Sequence, residues 1–320
     1  MNIKTCQRLI TISLLSILLA ACSSTLKPTQ MPEKHPVTTP QTINLYADNI
    51  PGEIKKSNQE TVRDASAEHT FIMDINQPQL TIFKAAPHLA NGTAVIILPG
   101  GGYKGVSIVK EGYDIAKRFN SIGITAFVLK YRMPNTNTML DKTTGPLQDA
   151  QQAIYWVRSN AKLWGIHPDK VGIMGFSAGG HLASTAATHF DNAVMSQYQS
   201  ENLKPDFQIL IYPVISMKDE VTHKGSRKNL LAPELTPDNI AYFSNEDQVT
   251  RATPKAFIVH AIDDKAVPVE NALLYTQALT QHKVQTQLLL LPEGGHGFGM
   301  DNPFDWFESL ATWLKNNQLR

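Results

Sequence analysis

The chain has 320 residues, and its 29 Lys and Arg nearly balance its 28 Asp and Glu, for a formal net charge of +1. It has no basic run to hold nucleic acid and no acidic tail to hold a charged partner, so composition gives no support to either class. Its two cysteines, Cys6 and Cys22, both lie in the first 22 residues, which leaves the body of the chain without a thiol for a disulfide, a zinc site or a cysteine nucleophile.

The N-terminus reads as a targeting segment. Lys4 and Arg8 give a basic start, and Leu9 to Ala21 is apolar apart from a few hydroxyls. That run falls short of the roughly 20 residues needed to span a bilayer and suits the apolar region of a secretory signal. It ends Leu19-Ala20-Ala21-Cys22, which resembles the bacterial lipobox. The resemblance implies that Cys22 is acylated, becomes the mature N-terminus and anchors the protein to a membrane. Three acyl chains would hold firmly, because each buried CH₂ contributes about 0.8 kcal/mol. An aspartate after the cysteine retains lipoproteins of the enterobacterial type in the inner membrane. Ser23 therefore points to the outer membrane of the cell envelope. Loss of Lys4 and Arg8 with the signal leaves 27 basic against 28 acidic residues. The following stretch is rich in Ser, Thr, Pro and Lys, with Pro28, Pro32, Pro36 and Pro40 four residues apart. It cannot form a helix or a core and reads as an extended tether, with a reach on the order of 60 Å. The expected layout is a signal over 1–21, a lipidated tether over 22–42 and one folded domain over 43–320.

Roughly 275 residues then remain, the size of one large domain, with no internal repeat. Gln79 to Lys84 alternates as a half-buried edge strand does. Ala94 to Leu98 is continuously apolar, as in a buried parallel strand, and runs into the glycine loop Pro99-Gly100-Gly101-Gly102-Tyr103. Helical spacing covers Glu111 to Ile122, and a strand follows over Ile124 to Lys130. Pro146 to Leu163 places Leu147, Ala150, Ala153, Ile154 and Val157 on one helical face. A short strand at Val171 to Met174 precedes a helix after Ser177. Strands are expected at Phe207–Tyr212, Ala256–His260 and Thr286–Leu291, and helices at Val269–His282 and Trp306–Asn316. Repeated β-then-α predicts a doubly wound, mostly parallel sheet with helices on both faces. Ligands of such sheets bind beyond the carboxyl ends of the strands.

The distinctive residues all fall at those ends. Gly175-Phe176-Ser177-Ala178-Gly179 sits between a strand and a helix. A serine at so sharp a turn is pushed out of the sheet with its Oγ exposed. Glycine is required two positions before and after it, where a Cβ would collide with the neighbouring strand or helix. Such a serine is a candidate nucleophile for acyl transfer, which also needs a base, an orienting acid and an oxyanion site. The glycine loop after Leu98 lets backbone N–H groups approach a ligand. It offers Gly101 and Gly102 as oxyanion donors, and the N–H of Ala178 is the other. Pro99 stands where the related HGGG loop has histidine. No Lys-Ser/Thr follows and no G-x-G-x-x-G is present, so a phosphate-binding loop is disfavoured. The acid lies in Ile262-Asp263-Asp264-Lys265-Ala266-Val267-Pro268. Asp264 matches the D-x-x-V-P turn of many α/β-hydrolases; Asp263 is the competing choice, and otherwise a turn or helix-cap residue. The base is His296, in the mobile-looking loop Glu293-Gly294-Gly295-His296-Gly297-Phe298-Gly299. His260 is expected in the core. Tyr103, His181 and His223 are candidates to line the substrate pocket, although His181, at a helix start, also fits a packed or capping role.

Leu98-Pro99-Gly100-Gly101-Gly102-Tyr103, the stretch from Gly175 to Ala183, Val259 to Asp264 and Gly294 to Gly299 together resemble bacterial acetyl xylan and feruloyl esterases of the α/β-hydrolase fold. Ser216-Met217-Lys218 and His223 to Arg227 are similar to the segment that roofs the acyl pocket in that family. The likeness covers roughly residues 90 to 317. It implies a serine esterase acting on acylated carbohydrate, acetylated xylan for example, through Ser177, His296 and Asp264, without a metal or organic cofactor. A single-domain serine peptidase and a non-catalytic surface lipoprotein that binds glycan or protein are the rival readings. The first lacks the propeller or cap its kind carries, and the second would be expected to have a broken triad.

Overall fold

The computed structural model describes residues 39–47, 49–54, 57–66 and 69–320; the expected signal, Cys22 and the tether as far as residue 38 lie outside them. The strands are β1 (Gln41–Asn44), β2 (Thr61–Arg63), β3 (Phe71–Met73), β4 (Gln79–Phe83), β5 (Ala94–Leu98), β6 (Gly105–Ser107), β7 (Thr125–Lys130), β8 (Val171–Phe176), β9 (Phe207–Ile211), β10 (Lys255–Ala261) and β11 (Thr286–Leu291). The helices are α1 (Asp114–Asn120), α2 (Gly145–Ser159), α3 (Ala161–Trp164), α4 (Ser177–Thr188), α5 (Lys224–Leu231), α6 (Pro237–Tyr242), α7 (Glu270–Gln281) and α8 (Trp306–Asn316).

Eight strands form one sheet in the order β1-β4-β7-β5-β8-β9-β10-β11. Neighbours from β7 through β11 are parallel, while β4 is antiparallel to β7 and β1 to β4. The central strands carry no alternation because both sides are covered: β5, β8 and β9 are buried at every residue, as parallel strands between helical layers are. Adjacent residues of β7 show the two layers. Phe127 packs edge-on to Trp156 and Trp164, with ring centroids 6.4 and 6.2 Å away. Val128 points the opposite way, and its Cγ1 lies 2.9 Å from where a Cβ on Gly112 would stand. Helices α2 and α3 thus cover one face, and the segment leading into α1 covers the other.

Several elements differ from the expectations. Strand β4 is not the edge: β1 pairs outside it, from Gln41 opposite Ile82 to Asn44 opposite Gln79, and four of its five residues are buried. Gln41 and Thr42, assigned to the tether, are therefore already sheet residues. The Gln-Thr-Ile-Asn run has little hydropathy to betray a strand; backbone pairing supplies what side chains do not. Tyr46, just beyond β1, donates its hydroxyl proton to Asp149 in α2 at 2.8 Å, which ties this segment to the body. The helix expected over Glu111 to Ile122 starts as a π-helical turn, Val109–Tyr113, and becomes α-helical only at Asp114. The helix expected over Pro146 to Leu163 breaks at Asn160, whose side-chain amide donates to the Trp156 carbonyl at 2.8 Å. Asparagine offers the backbone such an alternative to the helical ladder. A second, three-stranded antiparallel sheet, β2-β3-β6, was not foreseen, since three-residue strands are too short for a period to register. Strand β6 emerges from the glycine loop, so this small sheet is built onto that loop.

Candidate active site

Strand β8 ends at Phe176, and α4 begins at Ser177 with φ +51°. A non-glycine residue in that region is strained by about 1–2 kcal/mol, and packing enforces it. A Cβ on Gly175 would stand 2.1 Å from the Gly179 carbonyl oxygen, and one on Gly179 would stand 2.1 Å from that of Leu98. The turn can be this tight only with glycine at both places, and it holds Ser177 at the first turn of α4, over the carboxyl ends of β5 and β8.

Three distant side chains meet there. His296 Nε2 lies 2.8 Å from Ser177 Oγ, and His296 Nδ1 lies 2.7 Å from Asp264 Oδ2. A carboxylate only accepts, so Nδ1–H donates to Asp264 and Nε2 is left to accept from the serine hydroxyl. The other Asp264 oxygen accepts the N–H groups of Ala266 and Val267, each at 2.9 Å. His260, fully buried as expected of a core residue, donates from Nε2 to the Val267 carbonyl at 3.0 Å and stands 3.3 Å from Asp264 Oδ2. Burial alone would raise the Asp264 carboxyl. Hydrogen bonds from His260 and His296, and the charge of His296, outweigh burial and hold it well below the usual carboxylate range. Asp263 does not reach the imidazole; its Oδ1 accepts the Gly295 N–H at 2.8 Å and so fastens the histidine loop by its backbone, a larger part than that of a plain turn residue.

The glycine loop faces the serine. Gly101 has φ +153°, and a Cβ there would stand 2.1 Å from the Gly105 carbonyl oxygen. Lys104 N–H bonds the Gly101 carbonyl, Ser107 N–H the Gly100 carbonyl, and Asn229 Nδ2 donates to the Gly102 carbonyl at 2.8 Å. With the carbonyls so fixed, the amides of Gly101, Gly102 and Ala178 donate to no acceptor among the described residues. Donors in this state are what a developing oxyanion requires.

Two residues that sequence reasoning missed hold this arrangement together. Glu111, in the π-helical turn, is buried and accepts from Gly100 N–H through Oε2 at 2.7 Å and from the Tyr212 hydroxyl through Oε1 at 2.8 Å. The Tyr212 oxygen in turn accepts the Gly299 N–H at 3.1 Å, and its ring stands edge-on to His296 with centroids 4.9 Å apart. One carboxylate thereby couples the oxyanion loop to the histidine loop. Burial pushes the Glu111 carboxyl up, against the pull of its hydrogen bonds to Tyr212 and Gly100. The only sequence signal was an acid in an otherwise helically spaced apolar run, which reads as a solvated face. Glu111→Gln keeps the shape but turns an amide donor toward one of two donors. It is expected to lower kcat/KM on p-nitrophenyl acetate about 10²-fold, the scale of a small misplacement of catalytic groups. Steady-state kinetics on folded variant check this, and an unchanged kcat/KM would remove Glu111 from any positioning role.

Of the expected pocket-lining residues, only His223 lines the pocket. Tyr103 and His181 are buried beneath it: His181 Nε2–H donates to the Phe243 carbonyl and its Nδ1 accepts from the Tyr103 hydroxyl, both at 2.8 Å. Aromatic and imidazole bulk next to the elbow fill the core instead of the cavity. Burial lowers His181 from 6.5 to about 4. The folded state thus keeps it neutral while the unfolded chain takes a proton below pH 6.5. Its contribution to stability is complete above that value and is lost as pH falls toward 4. An NMR titration of the imidazole is expected to show a midpoint near 4; one near the solvated value would mean that this packing is wrong. His223 caps α5, its Nδ1 accepting the Ser226 N–H at 3.2 Å. The proton therefore sits on Nε2, and burial followed by the nearby His296 lowers the pKa of the ring.

A cavity of about 350 Å³ opens over Ser177 and His296, walled by Gly100 to Gly102, Phe71 of the small sheet and His223. Among the described residues, no group of three His, Cys, Asp or Glu could hold a metal ion, and no helix is long and apolar enough to cross a membrane.

The BD-FAE family model matches residues 80–279. An acetylxylan esterase of Xylanibacter ruminicola is 39% identical over 253 residues, which are 77% of this chain and 49% of that protein. The chain spans about half the length of the curated relatives it matches. Among solved structures, an acetyl ester-xyloside bifunctional hydrolase from Caldicellulosiruptor lactoaceticus superposes with a TM-score of 0.73 at 33% identity, covering 87% of this chain and 97% of that one. MGS-M1, an alpha/beta hydrolase enzyme from a Medee basin deep-sea metagenome library, superposes with a TM-score of 0.57 at 25% identity, over 80% and 97% of the two chains.

Proposed function

The chain belongs to the BD-FAE family and has the α/β-hydrolase fold, and from that premise we propose that it is a carboxylic ester hydrolase removing acetyl groups from acylated polysaccharide such as acetylated xylan. The observation that carries the reading is the unbroken hydrogen-bonded line from Ser177 through His296 to Asp264, set beside three uncommitted amides. Ser177 attacks the ester carbonyl as His296 takes its proton. Asp264 holds the imidazole tautomer and supports the positive charge that forms. The amides of Gly101, Gly102 and Ala178 receive the oxyanion, each such donor being worth about 2.7–4 kcal/mol. His296 then protonates the leaving sugar oxygen, and water releases the acyl group by the reverse proton route.

Acetate and xylan are favoured because an acetylxylan esterase and an acetyl ester-xyloside hydrolase are among the relatives. Incubating the purified protein with acetylated xylan, acetylated pectin and methyl ferulate is expected to release acetate from xylan fastest and little ferulate, as measured by the acid formed. Ferulate release exceeding acetate release would reassign the acyl group. Cleavage of aminoacyl p-nitroanilides without ester turnover would make the protein a peptidase.

A further inference from the structure

The cavity over Ser177 carries a charge pattern that a neutral acetylated sugar does not use. Arg63, at the end of β2, and Lys104, in the turn between the glycine loop and β6, both line it. Neither forms an ion pair among the described residues, although Lys110, Lys130, Arg132, Arg158 and Lys218 all do. The one carboxylate that lines the cavity, Glu111, is buried and has both oxygens occupied by Gly100 and Tyr212. Asp64, next to Arg63, directs its carboxylate to the Ser66 N–H at 3.3 Å. Asp64 acts on Arg63 through its charge but forms no ion pair with it, so among the described residues the mouth of the cavity carries two cations that no carboxylate pairs directly.

Arg63 is also held in place. Its guanidinium lies over the Phe71 ring, 4.9 Å from the centroid. A guanidinium stacked on a ring keeps its edge open for a carboxylate, which it can bind in two parallel hydrogen bonds. Phe71 itself abuts the oxyanion loop: its Cε2 lies 2.9 Å from where a Cβ on Gly101 would stand. Arg63, Phe71 and Gly101 thus form one wall from the mouth of the cavity to the oxyanion loop. An acetyl group has no position for a charge, so a charge that meets this wall belongs to the alcohol.

We infer that Arg63 and Lys104 form a carboxylate-binding subsite, and that the preferred substrate is an acetyl ester on a saccharide bearing a uronic acid. The inference rests on the esterase reading above and adds the chemical class of the sugar. Because both cations are solvent-facing, the subsite acts mainly on KM and is screened by salt.

The test compares kcat/KM on an acetylated xylo-oligosaccharide carrying a glucuronic acid with the same compound after reduction of the carboxyl to an alcohol. The wild-type protein is expected to prefer the acidic form about fivefold at low salt, through KM, and to lose the preference at high ionic strength. In the double variant Arg63→Gln/Lys104→Gln the ratio of the two values is expected to fall to about one. A wild-type ratio of one at low salt overturns the proposal. So does a double variant in which both values drop together with the ratio preserved, since that is a purely structural effect. A preference for p-nitrophenyl hemisuccinate over p-nitrophenyl acetate that vanishes in the double variant would place the charge on the acyl side, and also overturns it. Absence of wild-type turnover on p-nitrophenyl acetate would instead strike the esterase reading itself.

Discussion

Ser177→Ala is expected to abolish turnover of p-nitrophenyl acetate, with kcat lowered about 10⁴–10⁶-fold, while the fold remains. Among the described residues the Ser177 hydroxyl has a single hydrogen-bond partner, His296, at 2.8 Å. Removing it leaves the φ of +51° and the packing of Gly175 and Gly179 as they were, because alanine tolerates that conformation no worse than serine. Far-UV circular dichroism and the thermal midpoint should therefore match the wild type. The same variant should fail to react with a fluorophosphonate probe that labels the parent protein, since only an activated hydroxyl is phosphonylated. A folded Ser177→Ala protein that still hydrolyses ester within about tenfold of the wild-type rate would remove the serine from the mechanism. A parent protein that is not labelled would favour the non-catalytic glycan-binding reading.

What the sequence made legible depended on how many residues each feature constrains. The run Ala94–Leu98 has no polar residue because both faces of β5 are covered, and five consecutive apolar side chains are hard to misread. The elbow was equally visible, since two glycines flank the serine and each sits where a Cβ would come within 2.1 Å of a carbonyl oxygen. Features built by pairing rather than by side chains were hidden. Strand β1 is polar and recognisable only by its partner β4. Strands β2, β3 and β6, which wall the cavity, have three residues each, fewer than one period needs for recognition. Single buried polar groups were hidden for a different reason. Glu111 and Tyr212 act through a hydrogen bond between positions 101 apart in the chain, and no local spacing announces such a bond. Tyr103 and His181 were misplaced by the opposite error: residues beside a recognisable motif attract a role in the pocket, yet both are spent on each other and on the Phe243 carbonyl.

Asp264→Asn is expected to lower kcat about 10⁴-fold, and Asp263→Asn by no more than about tenfold. The two aspartates are adjacent in sequence but act on different parts of one loop. Asp264 takes the Nδ1–H of His296 at 2.7 Å and presents only lone pairs to it. An asparagine there, with its Oδ1 still held by the Ala266 and Val267 amides, turns its NH₂ toward the imidazole. The NH₂ then demands an acceptor, Nδ1 gives up its proton, and Nε2–H meets the serine where a lone pair is needed. Asp263 accepts one backbone N–H, that of Gly295, at 2.8 Å, and the carbonyl of an asparagine can accept the same bond. Its loss of charge should loosen the histidine loop slightly without changing the tautomer. The pH dependence of stability should change in Asp264→Asn as well. The carboxyl of Asp264 is depressed by its histidine partners despite burial, so its contribution to stability is present above the unfolded carboxylate pKa of about 3.9 and is lost as pH falls below it. Asp264→Asn should flatten that acid limb. If kinetics instead show the larger loss in Asp263→Asn, the orienting acid is Asp263, and the hydrogen bond from His296 to Asp264 is incidental to the reaction.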